Sequence, residues 1–221
     1  MSVCKHCDIL GAINQHVFGY QDTKSESYDK TRDLIHGLLL RTDRSADDRS
    51  AEFFNQNIPM IQGLENKDKE LIFFAMCINQ NLSLIKQMAQ YIESDINQII
   101  RQEGATCLSM GLMYNKNLNV IKYLIEDCNF DVNHKNHNGV SYLMLACMHQ
   151  DTEVIKYLIN DHKLDVNQRN IDGSGCLEFA CFHNPDLSVI QYLVEKCKLN
   201  PNNYDHKATC LINAWWYNTN K

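Results

Sequence analysis

The residues of this chain best equipped for chemistry are its ten cysteines and nine histidines. Cys4-Lys5-His6-Cys7 is a Cys-x-x-Cys pair, the spacing at which two thiolates can share a metal ion or form a disulfide. Zinc wants four soft ligands, and no second pair at knuckle spacing follows. His16 and His36 could complete a tetrahedron, but their spacing matches no finger. A thioredoxin-like role would need a βαβ setting that the pattern does not offer. Cys4 and Cys7 are therefore weak metal candidates, beside the plainer reading of a reduced N-terminal stretch. His134-Lys135-Asn136-His137 offers two imidazoles on a turn with His149 as a conceivable third ligand, yet solvated turn histidines explain it better. Cys107, Cys176 and Cys210 share one repeat position, and Cys128 and Cys197 another. Cysteine recurring in register behaves as a small buried hydrophobe. There is no Gly-rich phosphate loop, no carboxylate pair in an identifiable low-dielectric pocket and no Gly-x-Ser-x-Gly elbow. The expectation is a non-catalytic chain with no cofactor.

Charge and hydropathy narrow the partners. The net charge is −6, from 21 basic and 27 acidic residues, and no basic stripe exists to grip phosphates, which argues against nucleic acid. The longest apolar run, residues 71–78, is far short of the roughly 20 residues of a spanning helix, so no membrane is expected. The opening MSVCKHCDIL lacks the layout of a secretory signal. Many cysteines without such a signal imply a reducing, cytoplasmic compartment.

The elements that must position any site are written as a repeat. Val120-Ile121-Lys122-Tyr123-Leu124, Val154-Ile155-Lys156-Tyr157-Leu158 and Val189-Ile190-Gln191-Tyr192-Leu193 are near copies. The small residues Ala75, Gly111, Ala146, Ala180 and Ala214 lie 36, 35, 34 and 34 apart by subtraction, and Asn97, Asn133, Asn167 and Asn202 lie 36, 34 and 35 apart. Periods in this range mark stacked supersecondary units, each unable to bury its apolar face alone. Within one unit, Ser141 is placed to cap a short apolar helix through Cys147, and a polar break at 149–152 precedes a second helix over about 153–160. That helix gathers Val154, Ile155, Leu158 and Ile159 on one face. Asn138-Gly139 and Asp172-Gly173 then predict tight hairpins, because Gly tolerates positive φ. The unit is helix, turn, helix, hairpin.

DVNHKNHNGVSYLMLAC (131–147) and DVNQRNIDGSGCLEFAC (165–181) resemble ankyrin repeats. The resemblance covers about 67–221, four units plus a final first helix, and implies an all-α, ankyrin-like repeat solenoid. In their Asn-rich style the units are similar to divergent repeats expanded in giant DNA viruses of amoebae, which would place the protein in a host cell. The family's Thr-Pro-Leu-His start appears here as Thr106-Cys107-Leu108-Ser109, Ser141-Tyr142-Leu143-Met144, Gly175-Cys176-Leu177-Glu178 and Thr209-Cys210-Leu211-Ile212. Leu survives while Pro and His are gone, so the Thr–His hydrogen bonding between family repeats is lost. A looser stack, held mainly by apolar contact, is expected.

Positions free of stacking are where function belongs. The resemblance implies a protein partner gripped by hairpin tips and by the concave face of the first helices. By register, Cys77–Ile78, Met113–Tyr114, Met148–His149, Phe182–His183 and Trp216–Tyr217 follow the small pair of each first helix, side by side at roughly 10 Å. Such Met, His and aromatic side chains dominate binding hot spots. The competing reading makes the first member of each pair core, while the second members are expected to be exposed. The tips add Lys135, His137, Asn138, Arg169, Ile171, Asp172, Tyr204, His206 and Lys207. Replacing His149 and His183 together by Ala should weaken partner binding with little effect on thermal unfolding.

The ends break the period. Residues 28–40 predict a helix with Leu34, Ile35, Leu38 and Leu39 on one side; 46–61 predict another burying Phe53, Phe54 and Ile58, kinked or ended by Pro59. Residues 1–66 are read as a helical cap on the first repeat or, alternatively, as a docking segment of an adaptor that recruits a target to a ubiquitin-ligase-type complex. At 210–217 a first helix carries Trp215 and Trp216 with no second helix after it. A truncated or degenerate last unit is expected, the alternative being end-to-end self-association through that helix.

Overall fold

Apolar residues at helical spacing between polar breaks do form short paired helices. The structure, a computed structural model, describes residues 26–39, 47–100 and 104–201, with side chains described over 29–39, 50–100 and 104–201. Its helices are α1 (Glu26–Leu39), α2 (Asp47–Gln62), α3 (Asn66–Met76), α4 (Leu82–Ala89), α5 (Cys107–Tyr114), α6 (Leu118–Lys122), α7 (Tyr142–His149), α8 (Thr152–Asn160), α9 (Cys176–His183) and α10 (Leu187–Glu195). Among the described residues there is no extended strand, only isolated antiparallel bridges at Ile100–Thr106, Lys135–Ser141 and Arg169–Gly175 that close hairpins. None of these helices is long and apolar enough to cross a membrane. The chain divides into two units, one ending at Phe130 and the other beginning at Asp131.

In the second unit, α7 pairs with α8 and α9 with α10, and the first helices α7 and α9 pack along each other. Ser141 Oγ accepts the Met144 N–H at 3.3 Å, so the expected cap is present. Asp151 Oδ1 caps α8 by accepting from the Glu153 and Val154 N–H groups, both at 3.1 Å. Gly175 has no side chain to cap α9; Glu178 Oε2 instead reaches back to the Gly175 N–H at 3.0 Å. Val154, Ile155 and Leu158 are buried as the spacing requires; Ile159, expected beside them, is half-buried, and Tyr157 is buried in addition. Three residues beyond each of these second helices a lysine sits in the left-handed region, Lys163 (φ 57°) after α8 and Lys198 (φ 61°) after α10. There the chain turns back so that the Leu164 N–H meets Leu158 O at 3.3 Å and the Leu199 N–H meets Leu193 O at 3.1 Å.

The hairpins owe their shape to short polar side chains that bond their own backbone. Asp131 and Asp165 Oδ1 accept the N–H two residues on, at 3.0 and 2.9 Å. Asn136 Oδ1 accepts from Asn138 and Val140, both at 3.0 Å, and Asn170 Oδ1 from Asp172 and Ser174 at 3.1 and 2.8 Å. Gly139 and Gly173 follow at φ 72° and 79°, where a Cβ would be strained.

In the first unit, α3 pairs with α4 and α5 with α6, and α6 passes into a π-helical turn over Tyr123–Asp127. α1 packs on α2 and along α3, burying Leu34, Ile35, Leu38 and Leu39 as expected. Of the residues expected to be buried on α2, Phe54 is, Phe53 and Ile58 are half-buried, and Ile61 is buried in addition. Pro59 does not end α2, which continues to Gln62. Only residues 63–65 join α2 to α3, so no hairpin precedes α3, and Glu65 provides no side-chain cap. The following loop holds that end instead: the Glu93 N–H donates to Asn66 Oδ1 at 3.0 Å and Ser94 Oγ to Glu70 Oε1 at 2.5 Å.

Hydrogen bonds that the sequence reading did not foresee join apolar contact in holding neighbouring repeats. Asn115, wholly buried, donates from Nδ2 to Cys77 O at 2.9 Å and Asn79 O at 2.6 Å. Asn184 does the same to Cys147 O at 2.8 Å and Gln150 O at 2.7 Å. Asn79 reaches back to Leu38 O of α1 at 3.2 Å. A side-chain amide at the end of a first helix thus grips the carbonyls at the end of the one before it. Between second helices, Lys86 lies 4.8 Å from the Tyr123 ring centre and Lys156 lies 5.4 Å from that of Tyr192.

Candidate functional site

The residues that the sequence nominates for binding lie at hairpin tips and first-helix ends, while Leu187 at the start of α10 is also exposed. In the second unit the tips are tied together: the Ile171 N–H donates to Asn138 O at 3.1 Å. Ile171 is therefore held by its backbone while its side chain is 70% exposed. Lys135, His137, Asn138 and Asp172 are exposed beside it in sequence on the same tips. Arg169 is less available. Its guanidinium donates to Gly173 O at 2.5 Å and Glu178 Oε1 at 3.2 Å, stapling the hairpin to the start of α9.

At the helix ends, Phe182 is 39% exposed and its ring lies 5.8 Å from that of the exposed His183. Desolvation lowers the His183 pKa from its ordinary value, favouring the neutral ring near neutrality. Met148 and His149, at the end of α7, are half-buried. In the first unit Met113 and Tyr114 are also half-buried, whereas Cys77 and Ile78 are core, Ile78 only 2% exposed. Of the second members, expected to be exposed, only His183 is so among the described residues; Tyr114 and His149 are half-buried, and Ile78 is core where α1 packs along α3. Tyr204, His206, Lys207, Trp216, Tyr217, Cys4 and Cys7 lie outside the described residues.

The side chains with chemical potential are placed for packing. Cys77, Cys107, Cys147 and Cys176 are buried free thiols. Burial pushes the Cys77 and Cys147 thiols well up, and Cys128 up to about 11, which disfavours the thiolate at these three. The His134 ring packs 5.7 Å from Tyr142, and His137 is exposed. Among the described residues no three His, Cys, Asp or Glu side chains converge as metal ligands.

The amide grips are what sequence reasoning missed. Asn79, Asn115 and Asn184, with the buried Gln150 between the last two, step by 36, 35 and 34 residues, a third ruler beside the two already read.

Comparison with known proteins agrees with this architecture. The family model described as ankyrin repeats (3 copies) matches residues 110–205. The fold class is thus all-α, an ankyrin-like repeat solenoid. No curated protein matches the chain. Ankyrin repeats are generally protein–protein interaction modules, and proteins built from them are typically non-catalytic.

Proposed function

We propose that this protein binds a protein partner, without catalysis, through the hairpin tips and first-helix ends of the second unit. The observation that carries the reading is Ile171: a large apolar side chain, 70% exposed, on a tip whose backbone is fixed by the hydrogen bond to Asn138 O. An anchor already held in place loses little freedom on binding, and such anchors dominate interface energy. Phe182 and His183 add an aromatic and a neutral imidazole of the kind enriched at hot spots. The test is affinity capture from extracts of the source cell with the wild type and an Ile171→Ser, Phe182→Ser double variant. The main captured protein should fall by about tenfold or more, the loss of one hot spot. Thermal unfolding should stay within about 2 °C of the wild type, as for exposed sites. Undiminished capture, or capture and stability falling together, contradicts the reading.

The same proposal makes α1 and α2 a cap. α1 packs along α3, and the Phe54 ring of α2 lies 6.1 Å from Tyr91 beyond α4. Asn79 grips α1 as Asn115 grips α3. The adaptor alternative asks residues 1–66 to present a docking surface, and no observation favours it over the cap. Deleting residues 1–66 separates the two: a cap predicts aggregation of the remainder, whereas an adaptor predicts a soluble remainder that loses only a shared enzyme complex.

A further inference from the structure

Helices α7 and α9 pack along each other, with Ala146, Cys147, Ala180 and Cys181 among their buried residues. At their ends Asn184 joins the two helices. Its Nδ2 hydrogens end on Cys147 O and Gln150 O, the carbonyls that flank Met148 and His149. Asn184 itself directly follows Phe182 and His183. Its Oδ1 accepts the Asp186 N–H at 3.0 Å, and Asp186 caps α10 by accepting the Ser188 N–H at 2.9 Å. One side chain therefore ties the end of α9 to the end of α7 at the point where each presents its pair, and also starts the second helix.

We propose that Asn184 is a positioning residue of the binding face, setting where Phe182 and His183 stand relative to Met148 and His149. The proposal rests on the reading of those pairs as partner-binding, but it concerns their placement and is tested without a partner. The same two-carbonyl grip by Asn115 in the first unit shows that it is a recurrent device of this chain.

The probe is the His183 imidazole, followed by NMR through a pH titration of the full-length protein. Desolvation lowers its pKa in the folded chain, so the titration midpoint reports how the ring is held. Asn184→Ser keeps an oxygen for the Asp186 N–H but is too short to bridge the carbonyls. Its His183 midpoint should rise toward the ordinary imidazole value, and Asn184→Gln, which keeps both donors, should bring it back down. An amide that only stabilises the fold would lower the unfolding temperature in Asn184→Ser and leave the midpoint of the folded form where it was; that result overturns the proposal. A second measurement needs no variant and decides if Asn184→Ser does not fold. The side-chain amide protons of Asn184 should exchange on the order of tenfold more slowly than those of the exposed Asn119, as protected groups do. Equal rates would overturn the proposal. Neither measurement involves a partner, so their failure would leave the capture experiment standing, and the reverse.

Discussion

Asn115 illustrates how much one side chain can do in a repeat. Its amide nitrogen serves two carbonyls of the preceding repeat, while its Oδ1 accepts the Asn117 N–H at 2.9 Å. Asn117 in turn caps α6 by accepting the Asn119 N–H at 3.0 Å. All of this happens at a fully buried position, where a polar group that loses its partners pays a desolvation penalty. Asn115→Ala should destabilise the protein by about 2–3 kcal/mol, because two carbonyls lose their donor at once. Urea unfolding would read this directly, and a loss below about 0.5 kcal/mol, the range of an ordinary surface change, would contradict it. Asn was the hardest residue type to interpret from the sequence. It is abundant throughout the chain, and at 79, 115 and 184 it sits in breaks between helices that read simply as polar. The cysteines were easier, since their recurrence in register already pointed to the buried thiols found at 107, 128 and 176, although Cys197 is half-buried and Cys210 lies outside the described residues.

At the scale of elements, periodicity carried most of the information. The apolar face of α1, most of that of α8, the Ser141 cap and the hairpin glycines were legible, because each follows from local spacing or from a backbone angle that few residues tolerate. What linked neighbouring elements was not legible, because it depends on which atoms meet across some 35 residues of chain. The recurring Lys-Tyr of the second helices is an example. The apolar spacing explained Val, Ile and Leu, whereas Lys156 is placed over the Tyr192 ring one repeat later. Gly139 shows the same coupling in a hairpin. Its φ of 72° disfavours any side chain, and a Cβ there would lie 3.2 Å from the Ile171 nitrogen, crowding the bond that joins the two tips. Gly139→Ala should cost more than about 1 kcal/mol in thermal or urea unfolding. No measurable change would mean that the tips are not held as described.

For the whole molecule, the division of labour is between residues that recur and residues that differ. Recurring positions form the buried helix faces, the turns and the amide grips; differing positions on the tips and helix ends are exposed or half-buried except Cys77 and Ile78. The candidate site was only partly legible for this reason. Register located the helix-end pairs, but burial decides which can touch a partner: it withdraws Ile78 into the core and leaves Phe182 and His183 outside. Arg169, which the sequence offered as a contact, is engaged with Gly173 and Glu178 within its own unit. The most direct test of the central claim is a hydrogen-exchange footprint of the captured partner on the full-length protein. Protection is expected over residues 135–138, 148–149, 169–172 and 182–183, with α8 and α10 unchanged along Lys156 and Gln191. Protection centred on those second helices, with the tips exchanging as in the unbound protein, would contradict the account.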